Sequence, residues 1–344
     1  MMFLESLAVG VGVVAVYLGS IVFLPILEVT PQPIKLAANE STQPKCRRDV
    51  TFEVDGQTIR AWLYLPEKND SSLACVVMNN GFCGTKDMVL EPYALKFVEA
   101  GYAALTFDYR HFGESDGEPR QLLSLEKQLE DAHAAIAYAR SRPEIDPSKI
   151  VAWGTSSTGS FGILLAGADT KIAAIIGQTP SLDHQVDGKK ILKRDGMGWF
   201  LGLIMHAQRD KGRSRFGLSE HTFPAAGKPG TAAMLIGPGV FEGYERLAEH
   251  STTFRNEVCA RLMFDSHGPN LLESAGRINC PAQFHLCEYD EINSPDTYGV
   301  IEGIMGDKVE FIRYPTDHFG IYKGEHFENS TNNQIEFLNK TTKE

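Results

Sequence analysis

Cysteine is sparse and poorly spaced for metal binding. Six cysteines, at positions 46, 75, 83, 259, 280 and 287, are scattered over 344 residues. None forms a CxxC pair or a Cys/His cluster with zinc spacing, so no metal or other cofactor is expected. In a chain this long they do not read as a disulfide framework either, and buried free thiols are the plain expectation. Basic charge is also short: 33 Lys and Arg against 44 Asp and Glu leave a net charge of −11. That argues against a nucleic-acid partner, which needs a basic face to neutralise phosphates. Internal repeats, low-complexity tracts and long runs of like charge are absent as well. With 43% apolar and 22% charged residues, an ordinary globular chain remains.

Another absence lies at the N-terminus. "SLAVGVGVVAVYLGSIVFLPIL", Ser6 to Leu27, contains no charge, and no Lys or Arg precedes Lys35. A helix of that length spans about 33 Å, enough to cross a bilayer. Without a basic leader ahead of it, an uncleaved transmembrane helix over 1–27 is expected rather than a cleaved signal peptide. Lys35, Lys45, Arg47 and Arg48 follow it, which places the body on the cytosolic side, at the endoplasmic reticulum if the cell is eukaryotic. Against this, Asn39, Asn69, Asn329 and Asn339 each begin an N-x-S/T sequon, which would matter in a lumenal or secreted chain.

"TPQPIKLAANESTQPK" (30–45) reads as a linker, within a linker region of 28–49. "VTFEVDGQTIRAWLYLP" then shows two alternating runs around Asp55-Gly56, a hairpin signal. Short apolar runs follow: "ACVVMNN" (74–80), "AALTFDY" (103–109), "KIVAWG" (149–154) and "KIAAIIGQTP" (171–180). Helical text separates them near 87–100, 121–142 and 157–168. Such alternation predicts a mostly parallel sheet flanked by helices. The pattern breaks over 181–275 and returns with "AQFHLCEYD" (282–290) and "KVEFIRYP" (308–315). A core of 50–180 and 276–344, carrying a helical lid over 181–275, is therefore expected. Lids of this kind often cover a site at the carboxyl ends of the strands.

"AWGTSSTGS" (152–160) sets two serines between glycines after an apolar strand. A nucleophile elbow needs a strand, a tight turn bearing the nucleophile, and a helix. The strand runs through Trp153, and the usual register puts the nucleophile just past its terminal glycine, which selects Ser156 over Ser157. The Ser157 N–H would then serve as one oxyanion donor. A second is expected from "NNGFCGTKD", at the Phe82 N–H just past Gly81. Asp290, in "CEYDEINSP", and His318, in "YPTDHFGIY", follow in the order Ser, Asp, His at the ends of the later strands. His318 would take the serine proton and Asp290 would hold the imidazole. Glu288 and Glu291 remain alternative acids and His326 a rival base, while Asp317 is expected to face solvent.

Together "NNGFCGTKDMVLEPYALKFVEAGYAALTFDYRHFGES", "WGTSSTGS", "FRNEVCAR" and "YPTDHFGIY" resemble the α/β-hydrolase superfamily. The resemblance runs from about residue 50 to 340. It is to a branch that includes fungal polyketide hydrolases and transferases and related bacterial hydrolases. It implies the α/β-hydrolase fold, the triad Ser156, Asp290 and His318, and an oxyanion hole from Phe82 and Ser157. Three positions depart from the family's habit. Asn79-Asn80 stand where His-Gly usually begins the loop, Thr158 stands where Gly is usual, and His111 in "DYRHFGES" stands where Gly is common. That last segment reads as a structural turn with Asp108 and Arg110 as ion-pair partners.

These features predict a serine hydrolase acting on a hydrophobic ester or thioester through an acyl-enzyme. "WFLGLIM" (199–205), Phe241, Tyr244 and Phe254 fit a hydrophobic acyl or polyketide substrate, though they fit a plain lid core equally. The alternatives are an acyltransferase that passes the acyl group to an acceptor, and an α/β-hydrolase fold used without hydrolysis.

Overall fold

The computed structural model describes residues 12, 16–38, 42–67, 72–264 and 269–342. Its frame is an eight-stranded sheet in the order β1-β2-β4-β3-β5-β6-β9-β10. β1 (Arg47–Val54) and β2 (Gln57–Tyr64) form the antiparallel hairpin. Both turn residues, Asp55 and Gly56, take positive φ, as a two-residue turn matched to strand twist requires. β2 then pairs antiparallel with β4 (Ala103–Phe107). All later neighbours are parallel: β3 (Leu73–Asn79), β5 (Ile145–Thr155), β6 (Ile172–Gln178), β9 (Ala282–Cys287) and β10 (Val309–Tyr314).

Every residue of β3, β4 and β9 is buried, which is why β3 and β4 read as mainly apolar runs, while β9 buries Gln283 and His285 as a hydrogen-bonded pair. Helices cover the faces. α1 (Leu90–Glu99) and the last helix, α8 (Gly324–Thr342), pack together, with Tyr93 wedged between Trp153 and Phe327. α2 (Leu125–Arg140) and α3 (Phe161–Ala168) pack against β5 and against each other. The turn after β4 is pinned by two ion-pair centres. Asp108 pairs with Lys86 at 2.7 Å and Arg110 with Asp131 at 2.6 Å, so the two expected partners serve different neighbours. His111 takes φ +72 there, the left-handed backbone that makes glycine common at this point.

The chain leaves the sheet after β6 and rejoins it at β9. Between them α4 (His184–Arg215), β7 (Thr222–Phe223), α5 (Val240–Leu247) and β8 (Val258–Cys259) make up the cap, and α6 (Leu271–Ala275), which follows, packs back against α3. β7 and β8 pair antiparallel as a separate small sheet. α7 (Tyr298–Met305) lies between β9 and β10.

The transmembrane helix expected over 1–27, and with it the membrane partner and the membrane location, is corrected. Among the described residues no helix is long and apolar enough to cross a membrane. Residues 1–11 and 13–15 lie outside the described residues, as do sequons Asn39 and Asn69. The physical reason lies at the end of the apolar run. Its helical residues 16–23 stop just before Pro25, a residue that cannot continue a helix. The carbonyls of Ile21 and Leu24 there accept from the Arg209 guanidinium, both at 2.5 Å. Val22 sits against Gly212, where an added Cβ would meet its Cγ2 at 2.3 Å. The run therefore includes a capped helix end seated on α4. The segment after it lies along the cap too: the Ala37 N–H donates to Ser251 O at 2.9 Å, and Asn256 Nδ2 to Gln32 O at 3.2 Å.

Candidate active site

β5 ends at Thr155, and the next residue, Ser156, takes φ +56. A left-handed conformation costs a non-glycine residue about 1–2 kcal/mol and lifts the side chain out of the strand-to-helix turn. A single 3₁₀ turn, Ser156–Thr158, follows before α3. The close approach needed for that turn falls on Gly154 and Gly159. A Cβ on Gly154 would lie 2.0 Å from Thr158 O, and one on Gly159 would lie 2.6 Å from Pro180 Cα. Thr158 itself has room. Its Oγ1 lies 3.1 Å from Asn79 O and 3.0 Å from Asn80 O, so the residue standing for glycine ties the elbow to the loop after β3.

The structure brings Ser156, His318 and Asp290 into one chain of contacts. Ser156 Oγ lies 2.9 Å from His318 Nε2, and His318 Nδ1 lies 2.6 Å from Asp290 Oδ2. Asp290 sits in the turn after β9 and His318 in the loop after β10, and both are buried. The other carboxylate oxygen of Asp290 accepts the Ile292 and Asn293 N–H groups, each at 2.8 Å. Those donors fix the carboxylate plane. Glu288 and Glu291 are exposed on either side. Asp317 is exposed as well and caps the Phe319 and Gly320 N–H groups. His326 stacks edge-on against Tyr314 at 6.3 Å. None of these four joins the contact chain.

The loop after β3 wraps over Ser156. A Cβ on Gly81 would stand 3.0 Å from Ser156 Cβ. The Asn79-Asn80 pair supplies the loop's hydrogen bonding. Asn79 Nδ2 donates to Trp153 O at 2.9 Å, and Asn80 Oδ1 accepts the Gly81 N–H at 2.8 Å. With the Gly81 amide so engaged, Phe82 is the next residue along the loop. Phe82, Ser156 and His318 line one small cavity of about 20 Å³. From the cap, the Tyr244 hydroxyl donates to Phe82 O at 3.1 Å. Cys83 follows with φ +56. Ser157 is the first residue after Ser156 in the turn, half-buried.

Several residues here carried no signal in the sequence. Tyr322 lines the Ser156 cavity and bonds Thr155 Oγ1 at 2.5 Å. α4 grips the acid turn with three side chains: Asp187 accepts the Ser294 N–H at 2.6 Å, Lys190 donates to Asp290 O at 2.5 Å, and Arg194 donates to Glu291 O at 2.5 Å. Their spacing of three and four residues puts them on one helical face. Burial pushes the Asp187 carboxyl up from its ordinary range.

Comparison with known proteins places this geometry in a family. The model of the X-Pro dipeptidyl-peptidase (S15) family matches residues 55–221. The quorum-quenching protein AidA of Acinetobacter baumannii is 36% identical over 297 residues, which is 86% of this chain and 96% of that protein. The chain belongs to the α/β-hydrolase superfamily. Within the superfamily it falls in the branch of fungal polyketide transferases and hydrolases and their bacterial relatives. Polyketide transferase ATR5 of Stachybotrys chlorohalonatus is 38% identical over 145 residues, 42% of this chain and 48% of that one. The crystal structure of the α/β hydrolase GrgF from Penicillium sp. sh18 superposes with a TM-score of 0.71 at 25% identity, covering 87% of this chain and 99% of that one. Like other α/β hydrolases of this kind, the chain is a serine-hydrolase-type enzyme.

Proposed function

We propose that Ser156 attacks the carbonyl carbon of a hydrophobic ester or thioester and forms an acyl-enzyme. The observation that carries this reading is the contact chain from Ser156 Oγ through His318 to Asp290 Oδ2, at 2.9 and 2.6 Å. Asp290 accepts the Nδ1–H, which leaves the Nε2 lone pair facing the serine hydroxyl. As Oγ bonds to the carbonyl carbon, its proton passes to Nε2, and the imidazolium is stabilised by the Asp290 carboxylate. The carbonyl oxygen, now anionic, takes hydrogen bonds from the Phe82 and Ser157 N–H groups. Each such donor is worth about 10²–10³ in rate. Nε2 then returns the proton to the departing alcohol or thiol. Water, activated by the same imidazole, releases the acid and restores Ser156.

A second reading keeps every step to the acyl-enzyme and replaces water by an alcohol or amine acceptor. The match to a protein named polyketide transferase favours it, whereas the match to thiohydrolase aneE of Aspergillus aculeatus favours release to water. Both names support a small-molecule acyl substrate, of the polyketide type, in secondary metabolism. Product analysis with and without an added acceptor separates the two readings.

Labelling with a fluorophosphonate probe tests what they share. The label is expected on the peptide containing Ser156 and absent from Ser156→Ala, with turnover down by about 10⁴-fold or more. Full turnover by that variant overturns the mechanism.

A further inference from the structure

The Ser156 cavity, at about 20 Å³, has room for about one water and none for an acyl chain. A second cavity of about 560 Å³ opens in the cap, within the size range of small-molecule sites. Trp199, Leu203, Phe223, Ile236 and Pro238 supply its apolar walls. Phe82 connects the two. It lines the Ser156 cavity, and it packs against the cap cluster that contains Leu203 and Phe223. One aromatic residue, next to Ser156 in space, thus touches both the Ser156 cavity and the apolar cluster whose Leu203 and Phe223 wall the cap cavity.

Two glycines of α4, Gly198 and Gly202, line the cap cavity. Four residues apart, they share a helical face. Glycine inside a helix costs about 1 kcal/mol relative to alanine, so each needs a reason. Backbone conformation is not the reason, since the non-helical residue within α4 is Gly196. Close packing is not the reason either: a Cβ at Gly198 or Gly202 meets nothing within 4 Å, whereas one at Gly212 of the same helix meets Val22 at 2.3 Å. What the missing side chains leave is open volume on the cavity wall.

We infer that the cap cavity is the acyl-chain subsite of this enzyme, entered past the Phe82 side chain, and that Gly202 sets the length of chain it accepts. This rests on the acyl-enzyme reading above and gives the acyl group its place. A leucine at 202 keeps good helix propensity and projects into the open space, so it shortens the subsite without straining the fold.

The test compares p-nitrophenyl acetate with p-nitrophenyl octanoate on the wild type, Gly202→Leu and Gly188→Leu. Gly188 lies on the same helix, is exposed, also meets nothing within 4 Å, and does not line the cavity. Gly202→Leu is expected to lower kcat/KM on the octanoyl ester by about tenfold or more, the effect of displacing two buried methylenes. The acetyl ester should change by no more than about twofold and the melting temperature little, and Gly188→Leu should leave the ratio alone. An unchanged octanoyl-to-acetyl ratio in Gly202→Leu, or an equal loss on both esters, overturns the proposal. Should the wild type cleave neither ester and Ser156 take no fluorophosphonate, it is the acyl-enzyme reading that falls. The cavity is then judged on binding. Decanoate is expected to shift the fluorescence of Trp199 in the wild type and not in Gly202→Leu, and the same response in both overturns the subsite.

Discussion

Thr158 illustrates how much one side chain can reorganise in a catalytic turn. The superfamily's glycine at this point avoids a clash, but here Gly154 and Gly159 carry the close approaches, and Thr158 is free to bond the loop that covers Ser156. Thr158→Val keeps the shape but removes the single hydroxyl proton that the Asn79, Asn80 and Thr155 carbonyls share, and the acceptor of the Thr155 N–H. It is expected to cost about 1–3 kcal/mol in urea unfolding, with a fall in kcat because the Phe82 amide loses its register. A neutral Val variant would show that the hydroxyl is dispensable. Tyr244 acts on the same loop from the other side, through Phe82 O. Tyr244→Phe should lower kcat by about tenfold while KM changes little, since the loop serves the transition state more than the ground state. A rise in KM at constant kcat would instead assign the tyrosine to substrate binding. The contact chain of Ser156, Asp290 and His318 was legible because the proposed chemistry needs those residue types, in that order, beyond the ends of strands β5, β9 and β10. Tyr244 was not, because any hydroxyl that reaches a carbonyl 162 residues away would serve, and that distance is closed only by the fold.

At the scale of elements, α4 does two jobs on either side of a kink. Gly196, with φ +87 and ψ 163, interrupts its helical backbone. Before the kink, Asp187, Lys190 and Arg194 hold the acid turn, with Arg194 and Asp195 also reaching the cap cavity; after it, Trp199, Gly202 and Leu203 form that cavity's apolar wall. Alanine substitutions should therefore have opposite signs within one helix. Gly196→Ala is strained by its positive φ and should destabilise by about 1–2 kcal/mol. Gly202→Ala, in ordinary helical backbone with open space, should stabilise by about 0.5–1 kcal/mol. Thermal or urea unfolding reads both, and shifts of the same sign would contradict the assignment of the kink. The double role also explains why the α4 part of 181–275 read as mixed text. A helix whose buried face changes at a kink shows no sustained period. The strands were legible for the opposite reason: buried on both faces, β3 and β4 are apolar at every position but Asn79 and Thr106. The N-terminal run misled because its length alone was read as a span. Its helix end near Pro25 and its seat on α4 depend on Arg209 and Gly212, nearly two hundred residues away, and no local pattern records them.

Over the whole molecule, buried histidines couple stability to pH. Burial pushes His111, His206 and His221 down to about 4 and His285 to about 3. At His206, His221 and His285 hydrogen bonding locks the neutral forms. Arg209 Nε donates to His221 Nδ1 at 3.2 Å, so the His221 proton sits on Nε2 and is donated to His206 Nδ1 at 2.8 Å. At His285, Nε2 donates to Gln283 Oε1 and Nδ1 accepts from the Tyr314 hydroxyl, each at 2.9 Å, while Tyr314 in turn accepts from Asn333. A second proton on His285 would set two donors against each other. Each depressed value means that the unfolded chain binds protons first, below about pH 6.5. The stability these groups contribute is therefore complete above that pH and is lost progressively as pH falls toward the folded value. Asp131, lifted to about 6 by burial, works in the opposite direction, so the net curve mixes signs. A variant isolates the histidine. Between pH 7 and pH 5 the unfolded imidazole of one such residue takes up a proton that the folded one does not, and at about 1.36 kcal/mol per pH unit below about 6.5 this amounts to about 2 kcal/mol. His285→Gln removes that proton-binding difference whatever it does to absolute stability. Its unfolding free energy, measured by urea at pH 7 and pH 5, should fall by about 2 kcal/mol less than that of the wild type over the same interval. Equal losses in both proteins would mean that His285 is not held neutral by the fold.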